Sequence, residues 1–324
     1  MWNRKTGNLS QYSARLTAES QHCAVEAGAF LPDEGRKLAE IEPESCQIDL
    51  LGAERGVVQH EDAAALPGGD EAADLAVGNL EVTLGGPPYT GYPCFSAPDD
   101  WLRAIKETGF DILTTSNNHC LDRGRRGLER TLMMTDSLHM LTLGTYRHAD
   151  ERRLRYPLLV EQNGIRFVFL TYTYDMNGFE VESPNIVNVI DTTMMKKDIL
   201  TARSMRPDVI IAIMHWGTEY MLQPDAAQRF HAQWLFEQGV DHIIGGHPHV
   251  IQPTEYYPYS NFPGYHTVVW SQGNFISNMS APHTTEGTMI TLTFQKTGWV
   301  TRLTGYDCKV VRTTRPDYRL TIIK

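Results

Sequence analysis

Apolar positions come in short runs along residues 74–312, and stretches with helical character separate these runs. The runs predict strands at 75–79, 110–115, 157–160, 165–173, 209–215, 242–245 and 267–271, followed by an antiparallel pair at 288–294 and 300–311. Helices are predicted at 99–108, 124–137, 192–204 and 224–238, with Pro224 in the first turn of the last one. Short apolar strands that alternate with helices are typical of an α/β fold with a largely parallel sheet.

Residues 1–73 have a different character. They are rich in Ala, Glu, Gly and Gln, and their one clear apolar run is short, at 48–51. This composition predicts a weakly structured segment. The sequence therefore divides into an atypical N-terminal segment (1–73), one α/β domain (74–312) and a C-terminal tail (313–324).

The composition narrows the class of partner. The 324 residues are 41% hydrophobic and 21% charged, which is usual for a globular protein. The formal net charge of −10 argues against nucleic acid or an anionic membrane surface as the main partner. An anionic substrate would therefore need local positive charge, which bound metal ions supply.

Cysteine spacing and hydropathy exclude further classes. The five cysteines lie far apart without a C-x-x-C pair, which indicates neither a disulfide framework nor a structural zinc knuckle. The first residues lack the apolar core of a signal peptide, and no segment has the length and apolarity of a transmembrane helix. From the sequence we expect a soluble chain without a transmembrane segment, its location otherwise unknown.

Residues suited to metal binding follow four of the predicted strands. In chain order these are Glu81, the pair Asn118 and His119, His215, and the pair His247 and His249. Ligands of α/β folds gather where the strands end. Imidazole nitrogen with amide or carboxylate oxygen is a usual donor set for divalent ions. The sequence therefore predicts a metal site and a candidate metallohydrolase.

The residue types match a two-metal hydrolase. Such enzymes hold two divalent ions about 3.5–4 Å apart and need a bridging carboxylate, neutral ligands and an acid for the leaving group. Glu81 is the candidate bridging carboxylate, and Asn118 is a candidate amide ligand. The candidate imidazole ligands are His215, His247 and His249. His119 is the candidate acid, because it stands next to a ligand.

Five motifs resemble those of a known family. They are NLE at 79–81, SNNHCLDRG at 116–124, HWGTEY at 215–220, GHPHVIQP at 246–253 and SQGNFI at 271–276. In this order they resemble the CapA family of capsule or poly-γ-glutamate synthesis proteins, a branch of the calcineurin-like metallophosphoesterases. The resemblance implies a four-layer α/β/β/α sandwich of the metallophosphoesterase type, with two divalent ions (Mn, Zn, Fe or Mg) at the strand ends.

The resemblance also implies roles for single residues. Glu81, Asn118, His215, His247 and His249 match metal ligands, and His119 matches the catalytic histidine. Three more residues of these motifs are candidates for supporting the ligands or contacting substrate: Asp122, Glu219 and Asn274. Two of them have a simpler interpretation, Asp122 as the cap of the following helix and Glu219 as an exposed acid.

One feature departs from the family pattern. The family begins with a hydrophobic strand that ends in Gly-Asp, whose aspartate binds metal. The Gly69-Asp70 pair follows Pro67-Gly68 rather than a strand and lies close to Glu81 in the sequence. The sequence therefore predicts that the first strand and its ligand are missing or altered, which would weaken at least one metal position.

Two functions stand as hypotheses, and whether the chain is an active enzyme is open between them. The first is a CapA-like metal-dependent hydrolase linked to capsule or poly-γ-glutamate synthesis, with a phosphoester or an anionic envelope polymer as substrate. The second, which the altered start favours, is a non-catalytic capsule-assembly or polymer-binding component that keeps the fold. The resemblance also implies capsule-assembly proteins as partners and an association with the cell envelope.

Overall fold

The computed structural model describes residues 44–51, 73–259, 264–316 and 318–324. One of its sheets has seven strands, and their bounds are β1 (Glu44–Leu51), β2 (Leu75–Asn79), β3 (Ile112–Thr114), β4 (Leu141–Leu143), β13 (Glu286–Thr297), β14 (Val300–Thr314) and β15 (Arg319–Ile322). Their order across the sheet is β15-β14-β13-β1-β2-β3-β4. The strands β1 to β4 are parallel, and β13 to β15 continue the sheet as antiparallel strands.

The second sheet has six strands, namely β6 (Leu158–Gln162), β7 (Ile165–Thr173), β9 (Val209–His215), β10 (His242–Gly246), β11 (Thr254–Pro258) and β12 (Tyr265–Val269). Their order is β11-β12-β10-β9-β7-β6. The four central strands are parallel, and the two edge strands are antiparallel to their neighbours. A short ribbon pairs β5 (Thr145–Tyr146) with β8 (Ile186–Val187). Both sheets are therefore mixed rather than largely parallel throughout: the parallel strands form one side of the seven-stranded sheet and the centre of the six-stranded sheet.

The helices of the described residues are α1 (Asp99–Glu107), α2 (Gly124–Ser137), α3 (Ala149–Arg155), α4 (Thr192–Ser204) and α5 (Ala226–Gln238). The start of α5 lies after Pro224, not at it, because Asp225 caps the helix. The Asp225 carboxylate accepts from the Gln228 backbone N–H, and the Gln228 side chain accepts from the Asp225 N–H. The predicted end is confirmed, since Gly239 adopts the left-handed conformation of a C-cap.

The main core lies between the two sheets. Phe167 of β7 meets Phe294 of β13 across the sheets, with ring centroids 5.3 Å apart. Neighbouring residues of β3 point to opposite faces: Ile112 belongs to this central cluster, and Leu113 packs in a separate cluster with Leu102 of α1. Each fully buried side chain of this kind contributes about 1.5–3 kcal/mol. Side chains of α4 and α5 also belong to the central cluster. The two sheets and the helices that pack on them form the predicted four-layer sandwich.

The first strand is present, contrary to the sequence-based expectation. Cys46 and Ile48 of β1 are fully buried, while Gln47 between them is partly exposed. This alternation with period two is the pattern of a strand, although it contains no continuous β-branched run. The prediction of weak structure for 1–73 is therefore wrong for 44–51, while Gly69-Asp70 lies outside the described residues.

The C-terminal tail also contributes to the sheet. Strand β15 pairs with residues 311–314 of β14 in an antiparallel register. Its residues are mostly exposed, as expected of an edge strand that buries little apolar surface. The predicted boundary at residue 312 therefore cuts through β14. Within the described ranges, no helix combines the length and apolarity needed to cross a membrane.

A buried histidine at the amino end of β10 predicts a pH-dependent stability. His242 packs against Phe294 with ring centroids 5.4 Å apart, and burial, reinforced by the charge of His266, lowers its pKa to about 3. The unfolded chain binds a proton here below about pH 6.5, while the folded chain does not until about pH 3. Between these values, His242 should lower the free energy of unfolding by about 1.4 kcal/mol for each pH unit of acidification.

Denaturant titrations of wild type and His242→Leu between pH 7.5 and 4 test this expectation. In His242→Leu the free energy of unfolding should fall less steeply with acidification, because the His242 contribution is gone. The variant should therefore become progressively more stable than wild type as the pH falls. Parallel curves for the two proteins would contradict it.

Candidate metal centre

The predicted donor residues lie together at the carboxyl ends of parallel strands from both sheets. Glu81 follows β2, and Asn118 follows β3 in the first sheet. In the second sheet His215 is the last residue of β9, and His247 and His249 follow β10. All five side chains are buried, with at most 4% of the residue exposed. A pocket opens between these strand ends, with His215, Asn79, Ser116 and Gly246 among its lining residues.

The first group of donors is built around Glu81. The Asn79 side-chain amide donates to Glu81 Oε2 at 3.0 Å, which turns Oε1 toward His215 Nε2 at 3.8 Å. The same His215 nitrogen lies 2.9 Å from Asn118 Oδ1. One ligand atom each from Glu81, His215 and His247 lies within 4.8 Å of the others. Two ligands at about 2.1 Å from one ion lie between about 3 and about 4.2 Å apart, and the 3.8 Å between Glu81 and His215 falls within this range.

The second group joins Glu219 to the His-Pro-His segment. Ligand atoms of Glu219, His247 and His249 also lie within 4.8 Å of one another, and Glu219 Oε1 is 3.6 Å from His249 Nε2. The neighbouring His249 imidazole lowers the pKa of Glu219 to about 2. His249 Nδ1 lies 3.1 Å from Asn274 Oδ1, which places Asn274 directly behind the second histidine.

The histidine segment has an unfavourable backbone conformation. His247 has φ 96° and His249 has φ 59°, in the region that costs residues with a Cβ roughly 1–3 kcal/mol each. Just before them, a Cβ on Gly245 would lie 2.1 Å from the Trp270 carbonyl oxygen, so this position admits only glycine. Backbone strain of this kind is concentrated at functional sites, where the surrounding structure holds it in place.

His119 is held by Asp122 beside the first donor group. His119 Nδ1 lies 2.7 Å from Asp122 Oδ2, and the ring packs edge-on to Phe95 with centroids 4.7 Å apart. The same Asp122 oxygen accepts from the Phe95 backbone N–H. The sequence predicted Asp122 as the cap of α2, and this is wrong. The N-cap is Arg123, which makes no side-chain cap hydrogen bond. The alternative interpretation, that Asp122 orients a histidine of the site, agrees with this geometry.

Asn177 also reaches the site, and the sequence patterns did not single it out. Asn118 Nδ2 donates to Asn177 Oδ1 at 3.2 Å, and Asn177 Nδ2 lies 3.4 Å from His119 Nε2. Asn177 has φ 52°, a left-handed conformation that asparagine tolerates better than most residues. It lies in the loop after β7, 58 positions from His119, so only the fold brings the two together.

Two tyrosines stand at the rim of the centre. The Tyr174 ring packs at a tilt against His247, with ring centroids 4.4 Å apart, and lies nearly parallel to the His215 ring at 6.3 Å. Tyr220 lies 6.2 Å from His249. Both tyrosines are more than two-fifths exposed. They cover the imidazole cluster on one face and present aromatic surface to the solvent.

The donor set suits divalent cations. Imidazole nitrogen, carboxylate oxygen and amide oxygen lie together at these strand ends, which is the mixture that Zn²⁺, Mn²⁺ and Fe²⁺ bind. Among the described residues, no donor upstream of Glu81 joins either group. Every site residue predicted from the sequence lies at this centre, including Asn274 and Glu219.

A family model described as "Bacterial capsule synthesis protein PGA_cap" matches residues 67–279. The PGA biosynthesis protein CapA of Bacillus subtilis (strain 168) is 24% identical over 203 residues, which cover 61% of this chain and 50% of that protein. The capsule biosynthesis protein CapA of Bacillus anthracis is 26% identical over 202 residues, which cover 60% of this chain and 47% of that protein. The chain thus spans about half the length of these relatives.

Among solved structures, the NAD nucleotidase NadN of Haemophilus influenzae is similar with a TM-score of 0.51 and 11% sequence identity, covering 87% of this chain and 60% of that one. At this identity the similarity concerns the fold alone. The fold is of the metallophosphoesterase type, as the sequence motifs implied. The His and Glu groups at the strand ends are suited to bind divalent metal ions.

Proposed function

The chain belongs to the bacterial capsule synthesis protein family PGA_cap, and from this premise we propose that it is a metal-dependent hydrolase of the phosphoesterase type that acts in capsule or poly-γ-glutamate synthesis. The observation that carries the proposal is the convergence of Glu81, Asn118, His215, His247 and His249 at the strand ends of the two sheets. Two divalent ions are the cofactors that we propose for these donors, with Glu81 as a ligand in the first donor group.

The proposed chemistry assigns a task to each part of the centre. Bound divalent ions activate water for attack and neutralise charge on the attacked group. Asn79 orients the Glu81 carboxylate by its hydrogen bond to Oε2. Asp122 holds His119 at Nδ1, and Nε2 is the ring nitrogen that would donate a proton to the departing oxygen.

The first test measures metal binding and turnover in the same preparation. Metal-free protein should bind Mn²⁺ or Zn²⁺ in calorimetric titrations, and elemental analysis should find two ions per chain. Hydrolysis of p-nitrophenyl phosphate and bis-p-nitrophenyl phosphate should depend on the added metal and stop with EDTA. Stoichiometric metal without turnover on either ester would contradict the proposed hydrolase, and protein that binds no metal would contradict the proposed centre itself.

The second candidate function is a non-catalytic component of capsule assembly or polymer binding. It is favoured by the lack of a donor upstream of Glu81 among the described residues. It predicts metal occupancy without ester hydrolysis, together with binding of poly-γ-glutamate or another anionic polymer. Binding of fluorescent poly-γ-glutamate measured beside the esterase assay separates the two candidates.

Asn177 is expected to position the ligand and the acid. Its Oδ1 accepts from Asn118 Nδ2, which keeps the Asn118 carbonyl-type oxygen directed at His215. Partners that orient metal ligands are typically worth 10–100-fold in metal affinity or activity. We expect Asn177→Ala to lower metal affinity about tenfold and to lower kcat more than it raises KM.

Asn163→Ala is the matched control for Asn177→Ala. Asn163 also has a left-handed backbone, with φ 47°, but its side chain contacts Ser45 and Asp74, residues outside the metal centre. Both variants therefore meet a similar backbone cost, and only one disturbs the centre. Equal metal affinity and equal kcat in the two variants would contradict a positioning role for Asn177.

A further inference from the structure

The loop after β9 is fixed against the histidine segment. The Tyr220 backbone N–H donates to the Pro248 carbonyl at 2.8 Å, and Tyr220 itself is left-handed with φ 66°. Gly217 also has a left-handed backbone, and a Cβ there would lie 2.6 Å from the Gln228 side chain. This loop carries Glu219, so its carboxylate is delivered beside His247 and His249 by a built turn.

The hydrogen bonds behind His249 define which of its nitrogens faces Glu219. The Asn274 side chain donates through Nδ2 to the Thr284 carbonyl at 2.9 Å, so its Oδ1 is the atom that faces His249 Nδ1. An amide oxygen accepts only, so His249 Nδ1 carries a proton, and Nε2 is the nitrogen that can bind a metal ion in the neutral ring. This is the arrangement by which an outer partner prepares an imidazole to bind a metal ion.

His249 Nε2 and Glu219 Oε1 lie 3.6 Å apart. The distance exceeds that of a normal N–H···O hydrogen bond, and it falls within the spacing of two ligands on one ion. The site of the second donor group is therefore suited to a metal ion.

We propose that Glu219 is a direct carboxylate ligand of the second metal ion, together with His249. The inference rests on the proposed two-metal function and makes it more specific, because it assigns a carboxylate ligand to the second donor group. Glu219 is then neither an exposed acid nor a residue behind the ligands. With Glu219, each of the two donor groups contains one carboxylate, Glu81 in the first and Glu219 in the second.

The test compares wild type with Glu219→Gln and uses Mn²⁺ as the probe. The variant keeps the size of the side chain but replaces an anionic ligand with a neutral amide. We expect two Mn²⁺ per chain in wild type, with the paramagnetic resonance spectrum of an exchange-coupled pair. In the variant we expect the weaker site to lose at least about tenfold in affinity and the spectrum to change to that of an isolated ion.

Glu237→Gln is the control, because Glu237 lies on α5 and bonds to Gln233 on the exposed face of that helix. It should behave as wild type, and thermal melts of the metal-free proteins should show that both variants fold. Two Mn²⁺ bound by Glu219→Gln with wild-type affinities would overturn the inference and leave the proposed function intact. Fewer than two Mn²⁺ bound by wild type would overturn the two-metal proposal and this inference together.

Discussion

Replacing His119 by glutamine should lower kcat by roughly 10²–10⁴-fold on alkyl phosphoesters, the usual contribution of a positioned general acid, while the metal content stays at the wild-type level. His119 is buried beside the donors but belongs to neither donor group. Its Nδ1 is held by Asp122 at 2.7 Å, so the side chain is oriented to transfer a proton through Nε2. The measurement is kcat for glycerol phosphate and p-nitrophenyl phosphate in metal-saturated protein.

The leaving group distinguishes acid catalysis from structural damage. The p-nitrophenolate ion departs without protonation, so its ester should lose much less rate than the alkyl ester in His119→Gln. His139→Gln serves as a matched histidine control, because His139 is exposed in the turn after α2. An equal loss for both esters, or a loss of metal that parallels the loss of rate, would show that His119 supports the ligands rather than donating a proton.

The strands of the parallel centre were predictable because they are buried on both faces. The sequence predicted the bounds of β2, β7 and β9 to the residue, since each is a mainly apolar run with a clear stop. The short strands β4, β5 and β8 and the helix α3 were not predicted. Strands of two or three residues carry too little periodicity to be recognised, and α3 has an exposed, highly charged sequence with little apolar signal.

The missed first strand has a different cause. In β1 apolar and polar residues alternate, and the strand lies within a segment whose overall composition is polar. Its burial becomes apparent only in the sheet, where it pairs with β2 on one side and β13 on the other. The partner β13 lies more than 200 positions away in the chain, so no local pattern could reveal the pairing.

The donors of the centre were predictable from the rule that parallel strands end at one edge of the sheet. The structure brings Glu81, Asn118, His215, His247 and His249 together as that rule implied. Supporting contacts were harder to predict, because they depend on how loops fold back. Asp122 fits a helix cap in the sequence and is instead bound to His119, and Asn177 has no signal in the sequence beyond an ordinary turn.

Replacing His247 by alanine should have the largest effect on metal binding, because His247 is the residue shared by the two donor groups. Partners behind a ligand alone are worth 10–100-fold in affinity, so we expect loss of the ligand itself to cost at least about 100-fold. Turnover should fall with occupancy. The matched control is His266→Asn, since His266 lies at the amino end of β12 and contacts the Asp241 carbonyl, away from the centre. Wild-type metal content in His247→Ala would contradict the proposed centre.

Replacing His247 by glycine as well as by alanine separates two free energies, the cost of the left-handed backbone at this position and the stabilisation by bound metal. Both His247→Ala and His247→Gly remove the imidazole, but only alanine keeps the penalty of φ 96°. In EDTA, denaturant titrations should therefore find His247→Gly more stable than His247→Ala by about 1 kcal/mol. With metal at 100 times its dissociation constant, wild type should gain about 2.7 kcal/mol per ion, and neither variant should gain a comparable amount. A metal-free alanine variant as stable as the glycine variant would show that the histidine backbone is relaxed, and that metal binding does not have to offset strain there.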